Sequence, residues 1–154
     1  RYYNEPNDHF KLERKYKIGD LCYKETSKLN KEEVIKLIKG NYEDLKTDDP
    51  NKFKLFLRMK NKGLKAKSIV SYQREAFIFK AGNVRITIDT KLKISNDIRS
   101  FLTLDTPFLS TKSDQAILEV KYDRFLPSIV EDAIGIICIK TSNYSKYAIS
   151  RIIN

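Results

Sequence analysis

Two guanidiniums and a phenol, Arg74, Arg85 and Tyr72, fall at spacings that one β-hairpin would bring to a single face. In the stretch from Ser71 to Asp89, Lys80-Ala81-Gly82-Asn83 reads as the turn, because Gly82 and Asn83 tolerate the positive φ that a tight strand connection demands. Beyond it Asn83, Arg85, Thr87 and Asp89 alternate with Val84, Ile86 and Ile88, and successive strand side chains point to opposite faces. On the incoming strand Tyr72 and Arg74 share a face. Guanidiniums grip phosphate oxygens in pairs, so this surface suits a phosphate-bearing ligand. The shared face predicts that Arg74→Ala and Arg85→Ala each remove phosphate-ligand binding and leave the fold intact.

The same polarity recurs elsewhere. From Phe10 to Ile18, Lys11, Glu13, Lys15 and Lys17 oppose Phe10, Leu12, Tyr16 and Ile18, with Arg14 out of pattern on the apolar side. Gly19-Asp20 signals a hairpin into Leu21–Leu29, which carries Cys22, Lys24, Thr26 and Lys28 on one face. From Gln115 to Asp123, Ile117, Glu119 and Lys121 alternate with Leu118, Val120 and Tyr122. Arg1 to Asn4 is β-prone and runs into the turn-like Asn4-Glu5-Pro6-Asn7-Asp8, and the chain is expected to begin upstream of Arg1.

Helices interrupt these strands. Asn30 with Glu33 forms a capping-box signature before Val34, Ile35, Leu37 and Ile38, and the helix should stop at Gly40. A second helix is expected from Pro50 to about Lys62, with Phe53, Leu55, Phe56 and Met59 turned inward and Gly63 ending it. That stripe reads as core packing, and Lys60 to Lys67 as a solvated connection. Lys91 to Ser110 lacks a period and reads as a loop with at most a short strand. Pro127 opens a helix with an apolar stripe of Ile129, Val130, Ala133, Ile134 and Ile137. A last helix, about Ser145 to Ile152, carries Tyr147, Ala148, Ile149 and Ile152.

The chain has 154 residues, enough for one domain with its own core. Its formal charge of +10, with 30 Lys and Arg against 20 Asp and Glu, calls for an anionic partner. No apolar run approaches the roughly 20 residues a membrane helix needs. Cys22 and Cys138 have no metal-ligand spacing and read as reduced thiols, which places the protein in the cytoplasm. A nucleic-acid partner is not expected, because the basic residues alternate along strands and no RNA-binding aromatic motif is present.

The pattern of faces admits two architectures. An ordinary half-exposed antiparallel sheet would simply turn its charged face to water. Alternatively the strands close into a barrel with helices outside and Lys15, Lys24, Arg74, Arg85, Glu119 and Lys121 inside, which would require an anionic occupant.

Several motifs, in order, resemble one family: Glu13-Arg14-Lys15, Cys22-Tyr23-Lys24-Glu25, Ser71-Tyr72-Gln73-Arg74-Glu75-Ala76-Phe77, Val84-Arg85-Ile86-Thr87-Ile88-Asp89, Leu118-Glu119-Val120-Lys121-Tyr122 and Tyr144-Ser145-Lys146-Tyr147. The series resembles the VTC domain, the polyphosphate polymerase branch of the triphosphate tunnel metalloenzymes, over essentially the whole chain. The resemblance implies an α+β fold, an eight-stranded antiparallel tunnel with helices packed outside and a C-terminal plug helix, of which about six strands lie in this chain. Residues 1–154 would form a single such domain with its first two strands upstream, and those upstream residues would complete the barrel.

The same resemblance implies the site. Lys15, Lys24, Arg74 and Arg85 match the catalytic positions. Arg1, Lys15, Lys24, Tyr72, Arg74, Arg85, Lys121, Ser145 and Lys146 match positions facing phosphate, and Glu119 matches the carboxylate that holds Mn²⁺ or Mg²⁺. Asp89 would sit at the tunnel rim. Some members carry a Lys two residues before the plug-helix Ser, where this chain has Asn143. The implied reaction transfers the γ-phosphate of ATP onto a growing polyphosphate chain. A tripolyphosphatase or nucleoside triphosphatase of the same fold and a non-catalytic polyphosphate sensor are the alternatives. A membrane-associated partner subunit, at the cytoplasmic face of a membrane, is compatible with such a domain.

Overall fold

A computed structural model describes residues 1–4, 9–110, 115–135 and 144–152. The expectations that fall on Glu5 to Asp8, Ile137, Cys138 and Asn143 lie outside the described residues. The protein is α+β, with antiparallel sheets and four α-helices among the described residues. Two compact units share the chain: Arg1–Lys67 with Asp97–Thr106, and Ser68–Asn96 with Pro107–Asn154.

In the first unit β1 (Phe10–Ile18) and β2 (Leu21–Leu29) form an antiparallel hairpin that turns through Gly19 at φ +58°. Alternation sends Phe10 and Leu29 inward and leaves Lys11, Lys15, Lys24 and Lys28 exposed. The hairpin leads directly into α1 (Lys31–Ile38). Its capping box is complete, with the Glu33 N–H donating to Asn30 Oδ1 and the Asn30 N–H to Glu33 Oε2, both at 2.8 Å. Gly40 then breaks the chain away at φ +83°. In α2 (Pro50–Lys62) the Asp49 carboxylate accepts from the Asn51 and Lys52 amides, Pro50 occupies the first turn and Gly63 ends the helix in the left-handed region.

Both helices pack on the apolar face of the hairpin, giving a core of Phe10, Leu29, Val34, Leu45, Phe56 and Met59. Asn51 is the polar rivet of this packing. Its buried amide donates to the Leu12 carbonyl and to Ser27 Oγ, and Ser27 in turn donates to Asp49 at 2.8 Å. The inward stripe expected on α2 is corrected at Phe53, which is exposed and stacks on Phe56 with ring centroids 5.9 Å apart. The connection Lys60 to Lys67 is exposed throughout, as its composition predicts.

The second unit is a four-stranded antiparallel sheet. β3 (Ile69–Phe79) pairs along one edge of β4 (Val84–Ser95), and β5 (Leu109–Ser110) and β6 (Ile117–Lys121) both pair with β4. The turn between β3 and β4 uses Gly82 at φ +72° and Asn83 at φ +50°. Gly82 is required sterically as well, since a Cβ there would lie 2.7 Å from the Phe125 carbonyl oxygen. The register places Arg74 opposite Asp89, and on the other side of β4 Thr87 opposite Glu119 and Arg85 opposite Lys121. Near Tyr72 the ladder carries a bulge: Ser71 pairs with Lys93 and Gln73 with Thr90, so Lys91, at φ +51°, and Leu92 together face one residue.

Four readings of the sequence need correction. β4 continues through the bulge to Ser95, where a loop is expected; the alternation is masked because the bulge shifts its phase. Arg1 to Tyr3 is not a strand, although Arg1 and Lys11 exchange backbone hydrogen bonds of 3.0 and 2.8 Å. The stripe on α3 (Ser128–Gly135) buries Val130 but leaves Ile129 65% exposed. On α4 (Lys146–Ile152) the apolar residues Tyr147 and Ile152 are exposed and Ser150 is the fully buried one. Among the described residues the strands form two ladders that do not close into a ring, so the antiparallel sheets stand and a closed barrel does not follow from them.

Candidate functional site

The densest charge cluster lies on one face of the second unit's sheet. Asp89, 2% exposed, is its centre. Arg74, directly across the ladder, holds it in a fork: Nε donates to Oδ1 at 2.5 Å and Nη2 to Oδ2 at 2.6 Å. Lys146, the first residue of α4, reaches the same carboxylate at 2.7 Å. The Tyr72 ring lies against both cations, 5.2 Å from the Arg74 guanidinium and 4.9 Å from the Lys146 ammonium. Glu119 borders the cluster, 3.9 Å from Arg74 and 3.2 Å from Lys121, and accepts from the Thr87 hydroxyl at 3.4 Å.

Electrostatics follow from these contacts. Burial alone would raise the Asp89 pKa, but the hydrogen bonds from Arg74 and Lys146 outweigh it and hold the group below the ordinary carboxylate range. The same hydrogen bond to Asp89 raises Arg74 above its ordinary value against the opposing effect of burial. Glu119 is likewise lowered: desolvation opposes, and the Lys121 hydrogen bond with the charges of Lys121, Arg74 and Lys146 prevails. Asp89, Glu119 and Arg74 are therefore each held in the charged form at neutral pH.

Arg85 sits on the same strand face as Asp89 but four residues nearer the turn, about 13 Å along β4 at roughly 3.3 Å per residue. It is exposed and carries no ion pair among the described residues. Together Arg85 and Lys121 line a cleft of ≈ 680 Å³ whose apolar wall includes Ile78, Val120 and Tyr122. The three residues Tyr72, Arg74 and Arg85 thus share a face as expected, with Arg85 set apart along it.

The first unit gathers the remaining candidates. Glu13 Oε2 pairs with Arg1 at 3.0 Å and Glu13 Oε1 with Lys24 at 3.1 Å. Burial pushes Glu13 up, and the hydrogen bonds from Lys24 and Arg1 bring it below the ordinary value. Arg1 also reaches the Tyr3 hydroxyl. Lys15 stands across the ladder from Lys24, exposed and without an ion pair among the described residues. Arg14, out of pattern in the sequence, is explained by Glu25 opposite it: the pair closes at 3.1 Å, and Glu25 also accepts from Tyr16 and Lys54.

One site expectation changes. Asp89 is no rim residue; it is buried at the centre, because the turn fixes the β3–β4 register so that Arg74 falls opposite it. That signal is present in the sequence: once Phe79 and Val84 are set as the pair closing the turn, counting back gives Arg74 and Asp89. Ser145 serves α4 as its cap, its hydroxyl accepting from the Ala148 N–H at 3.2 Å. Thr87, buried beside Glu119, is a polar neighbour that the motif comparison did not single out.

Glu119 is the carboxylate best placed for a metal, since its side chain is 45% exposed whereas Asp89 is saturated by three donors. The described residues contain no group of three or more His, Cys, Asp or Glu that could hold an ion by themselves. A hard divalent cation is commonly held by one or two carboxylates together with substrate phosphates and water, a donor set that Glu119 fits. Among the described residues no helix is long and apolar enough to cross a membrane.

Comparison with curated proteins gives no match. The VTC domain model matches residues 1–153, essentially the whole chain, and the protein belongs to that family, which is associated with polyphosphate.

Proposed function

We propose that this chain is the phosphate-handling part of a polyphosphate polymerase, which transfers the γ-phosphate of ATP onto a growing polyphosphate chain. The observation that carries this reading is the row of cations on one sheet face, Arg74 and Lys146 at one end and Arg85 and Lys121 at the other, in a VTC-domain chain. About 13 Å of strand between the two arginines is too far for one phosphate group and suits a linear chain of them. The strands would be wall segments of the eight-stranded tunnel the family resemblance implies.

In the reaction a terminal polyphosphate oxygen bonds to the γ-phosphorus, and the bond from that phosphorus to the β–γ bridging oxygen breaks, releasing ADP. Phosphoryl transfer of this kind needs alignment and charge stabilisation more than covalent help. Arg74 would present its remaining Nη1 edge to equatorial oxygens, Arg85 a whole guanidinium fork, and Lys121 and Lys146 point charges. Arg1, Lys15 and Lys24, in the first unit, would also bind phosphate groups. Mn²⁺ or Mg²⁺ held by Glu119 would neutralise oxygens of the triphosphate when bound. The free thiol at exposed Cys22 suits a cytoplasmic location, beside a membrane-associated partner subunit.

A second reading, a non-catalytic polyphosphate sensor, is favoured by the engagement of Glu119 with Lys121 and Thr87. Incubating the protein with ATP and Mn²⁺ and resolving products on a gel decides between them. Long chains support the polymerase; orthophosphate alone makes it a hydrolase. Unchanged ATP with tight polyphosphate binding makes it a sensor.

A further inference from the structure

A buried carboxylate is out of place in a wall built for anions, because it repels the ligand and demands desolvation. Asp89 is nevertheless the most enclosed member of the cluster, and three hydrogen bonds converge on it. Its two oxygens divide the work. Oδ1 takes Arg74 Nε, and Oδ2 takes both Arg74 Nη2 and Lys146 Nζ, so one group joins β3, β4 and α4.

On α4 Ile149 is half-buried, and the Tyr72 ring also lies against Lys146. Tyr147 and Ile152 are exposed, and burial on α4 is concentrated at Ser150, whose hydroxyl meets Ser68 Oγ at 2.7 Å. Lys146 and Ser150 are four residues apart and share one face of the helix. That face is therefore tied to β4 and to the residue just before β3 by two polar contacts, Lys146 to Asp89 and Ser150 to Ser68.

We propose that Asp89 is a positioning residue: it fixes the Arg74 guanidinium with one edge turned free and latches α4 to the sheet through Lys146. Its effect on ligand binding rests on the phosphate-binding reading above, whereas its hold on α4 does not. The sign of one substitution separates positioning from simple charge. Asp89→Asn removes a negative charge from a phosphate site, so electrostatics alone would tighten binding. Loss of the fork and the latch weakens it instead.

The test uses the full chain and two measurements. Hydrogen exchange without ligand should show the 146–152 segment of Asp89→Asn exchanging at least tenfold faster, while the β1–β2 hairpin is unchanged. Calorimetric titration with tripolyphosphate should show binding about tenfold weaker. Unchanged exchange in 146–152, or tighter tripolyphosphate binding, overturns the proposal. Lys146→Met leaves the Arg74–Asp89 pair in place and guards against global unfolding of the first variant. It should accelerate the same segment alone, and unaltered protection there also overturns the latch. If the wild-type chain binds no tripolyphosphate, the phosphate-binding reading fails, and the exchange measurement still decides the latch.

Discussion

The two arginines of the candidate site are not equivalent, and substituting each separately tests the structure at its most specific point. Arg74→Ala strips both guanidinium hydrogen bonds from a carboxylate that is 2% exposed, leaving Lys146 as its remaining ionic partner. Breaking a buried pair by deleting one member costs about 3–5 kcal/mol, since the other charge stays buried. Retention of Lys146 places the expectation near the lower end, about 3 kcal/mol. In a chain of this length each kcal/mol moves the midpoint of thermal unfolding by about 2–4 °C, so Tm should fall by about 6–12 °C. Arg85→Ala deletes an exposed side chain with no ion pair among the described residues and should stay within about 0.5 kcal/mol, or 2 °C. Both variants should weaken tripolyphosphate binding, by about 10- to 100-fold if each lost contact is worth about 1.5–3 kcal/mol. The sequence alone predicts loss of binding with an intact fold for both, and the buried pair removes that symmetry. Circular-dichroism melts alongside calorimetric titration read both quantities. Equal Tm shifts for the two variants, or a larger shift for Arg85→Ala, would refute the reasoning.

Further perturbations address other parts of the molecule. The Asp89 pKa is lower folded than unfolded, so the native state binds fewer protons; its contribution is full above the unfolded value of about 3.9 and is lost as pH falls through the folded one. Asp89→Asn should accordingly flatten the acid limb of stability against pH, and an unchanged limb would count against the pair. Glu119→Gln should lower metal-stimulated turnover by about 100-fold while strengthening metal-free tripolyphosphate binding, which a titration in chelator measures; equal loss of both would make Glu119 structural. Gly82→Ala must place a methyl 2.7 Å from the Phe125 carbonyl at a φ that disfavours it, and should destabilise by more than 1 kcal/mol in denaturant melts. A neutral result there would mean that the turn and the Phe125 segment are not packed as described.

Local signals carried most of the fold. Asn30 with Glu33, Pro50 with Gly63, and Gly19 and Gly82 mark boundaries through backbone chemistry that acts within a few residues, and the elements start and stop where those residues say. Legibility ended where the outcome depends on partners distant in sequence. The bulge at Lys91 has no glycine to announce it and shifts the alternation that would otherwise extend β4. The apolar stripe of α4 suggests burial of Tyr147 and Ile152, yet the helix is held by Lys146 and Ser150, whose partners Asp89 and Ser68 lie far back in the chain. Of the candidate site, residue types, faces and the Arg74–Asp89 register were readable in the sequence; the enclosure of Asp89 and the reach of Lys146 to it were not, since parity assigns Asp89 to the right face without showing that it is buried.

The charge pairing repeats in the two units and bears on how a cationic wall can exist before its ligand arrives. In the first, Glu13, whose side chain is 12% exposed, clamps Arg1 and Lys24; in the second, Asp89 clamps Arg74 and Lys146. In both, a recessed carboxylate holds two cations, one from an adjoining strand and one from a terminal segment or helix. Without such a carboxylate, neighbouring cations would repel one another in a partly desolvated setting and the side chains would swing apart into water. With it they stay put, at the expense of part of the positive potential. Among the described residues Lys15 and Arg85 carry no ion pair; across the ladder from them stand Lys24, clamped by Glu13, and Lys121, paired with the more exposed Glu119. Under the proposed phosphate-binding reading, a polyanion on either unit would engage that unit's free cation without breaking an ion pair among the described residues, and the clamped cations would lend their remaining donors. On that reading the division between free and clamped cations would lower the ordering entropy of binding, which is where a flexible row of lysines would lose affinity.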